Sequence, residues 1–102
     1  MNYLKAKEEF KELLASQKYK ESLNLLKEMH KLIDKETHFK EFISLFLNKS
    51  LVYSKLDDWV SVVNEPLKGL LEIKQLKNNF IKYSKFSKEE KENIKNLEKK
   101  YF

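Results

Sequence analysis

The sequence of 102 residues contains no cysteine, which excludes disulfide bonds, a thiolate zinc site and a cysteine nucleophile. It has one glycine, Gly69, and one proline, Pro66. Sheets with many turns need more of both residues, so their scarcity favours long helices joined by short polar links. No apolar leader and no long apolar run interrupts the charged pattern. We therefore expect a cytoplasmic protein without a transmembrane segment.

Arginine is absent too, so all 21 basic residues are lysines. Arginine reads phosphates and base edges through its planar, bidentate guanidinium, and its absence argues against sequence-specific nucleic-acid binding. Residues 1–73 balance twelve lysines with twelve acidic residues, whereas residues 74–102 hold nine lysines and four acidic residues. The net charge of +5 therefore lies at the C-terminal end. This end could attract RNA or acidic lipid non-specifically, but a solvated helix is the simpler interpretation.

Apolar residues make up 41% of the chain and charged residues 36%, a balance typical of one globular domain with polar outer faces. Apolar side chains recur at helical spacing over residues 3–15, 19–33 and 39–56, and again from residue 59. Residues 16–18 are interpreted as a short break, and Asp57-Asp58 as a helix cap. The sequence thus predicts an all-α fold of five to six helices, antiparallel because their links are short.

The segment 39–56 is apolar nearly all round, which predicts a central helix packed on several sides. In the following helix we expect Pro66 to cause a kink, or a restart with Asn64 as cap. Its predicted buried face consists of Trp59, Val62, Val63, Leu67, Leu70 and Leu71. Across the chain, the aromatic residues predicted for the core are Phe10, Tyr19, Phe42, Phe46, Tyr53 and Trp59.

Beyond Ile73 the helical pattern weakens. A short helix is expected to carry Leu76, Phe80, Ile81 and Tyr83. The segment Ser87-Lys88-Glu89-Glu90 is a capping box that predicts the start of a last helix. Only Ile94, Leu97 and Tyr101 give that helix an apolar seam, so we expect it to dock lightly or to fray.

Catalytic and metal-binding constellations are weak in this sequence. His30 and His38 are eight residues apart, which is not a ligand spacing, and a solvated or half-buried histidine is the favoured interpretation of each. Capping explains Asp57-Asp58 more simply than metal binding does. Gly69 is isolated, so there is no glycine-rich phosphate loop. We therefore expect no enzyme activity, no cofactor and no metal.

Two stretches of the chain are alike, Ser16–Leu23 and Lys55–Val63, each with a tight polar turn followed by an aromatic residue. The run Asn48-Lys49-Ser50-Leu51-Val52-Tyr53 resembles the start of a tetratricopeptide repeat. That pattern places a small residue, here Ser50, where two helices approach closely, and Tyr53 and Trp59 also match it. The resemblance implies a right-handed array of helix pairs, each burying a face on the next.

In this register the repeat region covers residues 1–84. Its first repeat runs over about 3–36 and its second over about 43–76, and a degenerate third begins near residue 77. Residues 85–102 would form a lysine-rich capping helix whose polar face shields the end of the array.

Chaperone-binding members of that family hold an acidic C-terminal tail in a carboxylate clamp. The resemblance assigns Lys7 and Asn48 to matching clamp positions and Lys82 to an arginine position. Lys11 stands where asparagine is expected, and Asn78 where lysine is expected. Together with Lys55, these residues would donate charge-assisted hydrogen bonds to a peptide carboxylate.

Three functional hypotheses follow from the sequence. The first is a non-enzymatic adaptor or scaffold that binds a partner protein in a helical-repeat groove, with a co-chaperone role as its narrowest form. The second is a structural subunit whose apolar faces meet a larger complex or a second copy. The third is a non-specific nucleic-acid or acidic-membrane binder that uses residues 74–102.

Overall fold

A computed structural model describes residues 2–100, and over this range the chain is all-α, as predicted. Its six helices are α1 (Tyr3–Ala15), α2 (Tyr19–Leu32), α3 (Phe39–Lys55), α4 (Trp59–Asn78), α5 (Phe80–Ser84) and α6 (Lys88–Lys100). The seam residue Tyr101 lies outside the described residues. The tetratricopeptide arrangement of the helices stays a prediction.

Local sequence signals explain most helix boundaries. Asp58 caps α4 by accepting hydrogen bonds from the Ser61 backbone N–H at 3.2 Å and the Ser61 hydroxyl at 2.8 Å. The predicted capping box at the start of α6 is confirmed. The Ser87 backbone N–H donates to Glu90 at 3.1 Å, and the Glu90 N–H donates to the Ser87 hydroxyl at the same distance.

The links after α1 and α3 are the same turn, which confirms the likeness between the two stretches. Gln17 and Asp57 adopt the left-handed conformation, with φ of 59° and 58°. The N–H of the next residue bonds back to the last turn of the helix, from Lys18 to Leu13 at 2.9 Å and from Asp58 to Tyr53 at 3.0 Å. This pattern is the Schellman motif, and it reverses the chain within three residues.

The helices enclose two hydrophobic clusters that meet along α3. The first cluster joins α1 and α2 to one side of α3 and consists of Ala6, Leu23, Leu25, Leu26, Met29, Leu45 and Val52. The second joins the other side of α3 to α4 and α6 and consists of Phe39, Ile43, Phe46, Ile73, Ile94 and Leu97. The expected central helix is therefore α3, which contacts α2, α4 and α6.

The six aromatic residues expected in the core differ in how deeply they are buried. Phe46 is buried in the second cluster, and Phe42 packs against it half-buried. Phe10, Tyr19 and Tyr53 are half-buried against the first cluster. Trp59 is 62% exposed, so its prediction as a core residue is wrong.

The C-terminal third departs from the expected helix pattern. The helix that begins at Trp59 runs unbroken through Pro66 to Asn78, so it does not restart at Asn64. Only five residues form α5, and its Phe80 and Ile81 are exposed. In contrast, α6 buries Ile94 and Leu97 against the second cluster and packs on both α3 and α4.

The Cα atoms span 42 × 30 × 19 Å, with a radius of gyration of 14.2 Å. A compact domain of this length has a radius of gyration of about 13 Å, so the molecule is somewhat elongated. Its thin dimension fits two layers of helices, each about 10 Å thick. With so few layers, one side of α4 is left uncovered.

Candidate functional site

The side of α4 that packs inside the molecule is only partly apolar. Glu65, Gly69 and Ile73 are buried at helical spacing, and Val62 is half-buried beside them. Gly69 has no side chain to separate the backbones of two helices, so α4 can pack closely where it lies. The inner side of α4 thus consists of a glycine, two apolar side chains and one carboxylate.

The opposite side of α4 carries large apolar side chains in solvent. Val60, Val63, Leu67 and Leu71 follow helical spacing along one line, and Trp59 lies one turn before Val63. Each is more than half exposed, from 55% for Leu67 to 72% for Val60. We call these five residues the α4 apolar face. Single exposed apolar residues are normal, but a contiguous patch indicates a binding surface.

The buried face that was predicted for α4 is therefore wrong. Trp59, Val63, Leu67 and Leu71 were expected inside and lie outside, while Val62 and Leu70 are half-buried. Apolar periodicity identifies the side of a helix that avoids water, but a partner molecule can cover that side as well as the chain's own core can. In this chain, the contact between α3 and α4 determines which side of α4 faces inward.

A hydrogen bond between α3 and α4 fixes that contact. The Ser50 hydroxyl of α3 donates to the Val62 carbonyl oxygen of α4 at 2.7 Å. Pro66 has no N–H, so the Val62 carbonyl lacks its usual donor four residues along the helix. Ser50 supplies the missing donor. Ser50 was expected to be a small residue that lets two helices approach closely, and its hydroxyl also provides this hydrogen bond.

Glu65 is a buried carboxylate on the inner side of α4, 5% exposed. Its Oε1 accepts from the Lys68 Nζ at 3.2 Å, while its Oε2 has no hydrogen-bond partner within residues 2–100. Burial lowers the pKa of the half-buried Lys49 of α3, whereas the negative charge of Glu65 attracts the Lys49 ammonium and opposes that shift. A buried carboxylate costs stability unless it is well paired, so Glu65 is not the group that holds α4 in place.

His30 joins α2 to α3 inside the same region. Its Nε2 donates to the Phe42 carbonyl oxygen at 2.9 Å, and its ring centroid lies 4.8 Å from that of Phe42 and 4.4 Å from that of Phe46. Burial lowers the pKa of His30, and the charge of Lys49 lowers it further, against smaller opposite effects of the Phe42 carbonyl, Glu65 and Glu72. His30 is therefore a half-buried, neutral packing residue, as the sequence favoured.

The lowered pKa of His30 predicts a pH-dependent stability. The unfolded chain binds a proton near the ordinary histidine pKa of about 6.5, whereas the folded chain binds it only at lower pH. Stability is therefore complete above about pH 6.5 and falls as the pH drops toward 5. We expect the urea midpoint to fall between pH 7 and pH 5 in the parent chain. His30→Gln keeps a donor for the Phe42 carbonyl without a titrating ring and should show a smaller fall. An equal fall in both proteins would contradict this role of His30.

The six predicted peptide-binding residues are carried by four different helices. Lys7 and Lys11 lie exposed on α1, which packs mainly on α2. Asn48 is half-buried and Lys55 exposed on α3. Asn78 is the last residue of α4, and Lys82 lies on α5, which packs on α4. A clamp that uses all six residues stays a prediction.

Lys82 does line a cavity of about 480 Å³ near the C-terminal end of α4. Phe39, Leu76 and Phe86 give the cavity apolar walls. Its lysines and glutamates pair across it, from Lys82 to Glu36 at 2.8 Å and from Lys35 to Glu72 at 3.4 Å. Because Glu36 already holds the Lys82 ammonium, an incoming carboxylate would have to displace it.

Comparison with known proteins gives no further guide, because no family model, curated protein or solved structure matches this chain. Within residues 2–100 there is no cluster of three side chains that could hold a metal ion. Over the same residues, none of the helices has the length and apolar character needed to cross a membrane. The α4 apolar face is thus the strongest functional feature of the described chain.

Proposed function

We propose that this chain is a non-enzymatic protein-binding module whose binding surface is the α4 apolar face. The observation that carries the proposal is the exposure of five large apolar side chains within thirteen consecutive residues of one helix. Leaving apolar area in water costs about 25 cal/mol per Å², and a partner protein that covers the face recovers that free energy. Trp59, at the N-terminal end of the face, is of a residue type that is enriched at binding hot spots.

The environments of the shifted titratable groups support a non-catalytic role. His30 is held by a carbonyl and two phenylalanine rings, and the Lys49 Nζ lies 5.7 Å from the centre of the Phe46 ring. Both groups are part of the packing between helices and not of an open cleft. Burial is the largest cause of both lowered pKa values, and the charge of Lys49 lowers the pKa of His30 further.

Photo-crosslinking tests the proposal at one side chain. A benzophenone amino acid replaces Leu67, which is 55% exposed on the α4 apolar face, in cells that produce the chain. The matched control replaces Leu32, which is 51% exposed at the end of α2 and lies outside the face. We expect a discrete crosslinked protein band from position 67 and none from position 32. No band from position 67, or the same band from both positions, would overturn the proposal.

A further inference from the structure

We propose that the occupant of the α4 apolar face is a second copy of this chain, packed α4 against α4 in antiparallel orientation about a two-fold axis. The inference rests on the proposed function, because it names the partner of the same surface. It is carried by the arrangement of charges at the two ends of the face.

The face has opposite charges beyond its two ends. Asp57 lies in the left-handed turn two residues before Trp59, and Lys74 lies on α4 three residues after Leu71. Lys74 follows Leu67 by seven residues, which is two helical turns, so it continues the same line along α4. The α4 apolar face is therefore bounded by a carboxylate at one end and an ammonium at the other.

A two-fold axis through the midpoint of the face makes it complementary to itself. With the axis between Glu65 and Pro66, Val60 of one copy lies opposite Leu71 of the other. The same axis brings the end of α4 that follows Asp57 beside the end that carries Lys74, and the symmetry repeats this meeting of opposite charges at the other end. Parallel packing would instead bring Asp57 beside Asp57 and Lys74 beside Lys74, so the charges select the antiparallel arrangement.

Both charged groups are available for this role. Asp57 and Lys74 are exposed, and neither forms an ion pair within residues 2–100. The neighbouring charges of α4 are engaged inside the chain. Lys68 pairs with Glu65 at 3.2 Å and Lys77 with Glu98 at 2.8 Å. Asp57 and Lys74 are thus free, among the described residues, to pair across a symmetric second copy.

Sedimentation of the purified chain over micromolar to millimolar concentration tests the inference. We expect the parent to sediment as a concentration-dependent dimer. Leu67→Glu should weaken association about tenfold or more, because it buries a charge at the centre of the interface. Leu32→Glu introduces the same charge at a comparably exposed leucine outside the face and should leave association unchanged. Circular dichroism melts verify that both variants fold.

A charge swap tests the antiparallel register. Asp57→Lys alone places lysine against Lys74 in both symmetry-related pairs, and Lys74→Glu alone places glutamate against Asp57. Each variant should therefore associate less well than the parent. In a mixture of the two, both pairs of the mixed dimer become attractive, so mixed dimers should form in preference to either homodimer. If the mixture associates no better than the separate variants, the antiparallel pairing is wrong.

The outcomes separate this inference from the proposed function. A parent that stays monomeric up to millimolar concentration, while position 67 crosslinks to a different protein, overturns the dimer and leaves the binding surface standing. A dimer that Leu67→Glu and Leu32→Glu affect equally overturns the pairing through α4. A monomer that gives no crosslink from position 67 overturns both.

Discussion

Replacing Ile73 by alanine is expected to lower the free energy of unfolding by about 2–5 kcal/mol. Its side chain is fully buried and joins α4 to α3 and α6 in the second hydrophobic cluster. Truncation leaves a cavity that the rigid helices around it cannot fill, and the lost contacts add to the lost transfer free energy. Urea denaturation followed by circular dichroism measures the change.

Trp59→Ala is the matched substitution on the opposite side of the same helix. Because Trp59 is 62% exposed, its loss should change the stability of the monomer by less than about 1 kcal/mol, although a larger side chain is removed. The measurement belongs at low protein concentration, or in the Leu67→Glu background, so that dissociation of a dimer does not contribute. If Trp59→Ala costs as much as Ile73→Ala, α4 packs with the other side inward.

Ser50→Ala is expected to lower the free energy of unfolding by about 0.5–1.5 kcal/mol, the net contribution of a typical hydrogen bond, because Ser50 and Val62 are half-buried. The variant removes the only hydroxyl donor that Val62 receives from α3, and Pro66 prevents the helix from supplying a backbone N–H instead. Ser44→Ala is the control on the same helix. The Ser44 hydroxyl bonds at 2.9 Å to the carbonyl of Lys40 within α3 itself, so its loss should have little effect.

Pro66→Ala tests whether Ser50 acts through that carbonyl. An alanine at position 66 restores an N–H that can donate to Val62, so Ser50→Ala should cost less in this background than in the parent. A double-mutant cycle measures the coupling, which we expect to exceed about 0.5 kcal/mol. Additive effects of the two substitutions would show that Ser50 and Pro66 do not share the Val62 carbonyl.

The sequence could predict the helices well because their signals are local. Residues 3–15 were expected to form a helix and do so, and the expected helix 19–33 ends at Leu32. Asp58 and the Ser87–Glu90 capping box act on backbone groups within three residues of themselves. Such signals do not depend on where the rest of the chain lies.

The inward side of α4 could not be predicted in the same way. Its most apolar side was the reasonable expectation for the buried one, and the burial of Glu65 contradicts ordinary patterning. The signal that could have identified the inner side was the combination of Ser50, Pro66 and Gly69. A proline within a helix leaves a carbonyl without a donor, and glycine and serine mark positions where two helices approach closely.

The predicted carboxylate clamp depended on long-range placement, which a single sequence determines poorly. It required α1, α3 and the segment after residue 77 to face one groove. The chain instead continues α4 to Asn78 and then forms a five-residue helix, while α6 takes the position against α3 and α4. A binding surface shared by Lys7 and Lys82 therefore stays a prediction.

The fluorescence of Trp59 tests the central claim most directly, because Trp59 is the only tryptophan in the chain. In the Leu67→Glu variant at low concentration, its emission should be that of a solvent-exposed indole and readily quenched by acrylamide. In the parent, the emission should shift to shorter wavelength and quenching should weaken as the concentration rises. A short-wavelength, protected Trp59 in the monomeric variant would contradict the account, because it would place the α4 apolar face inside the molecule.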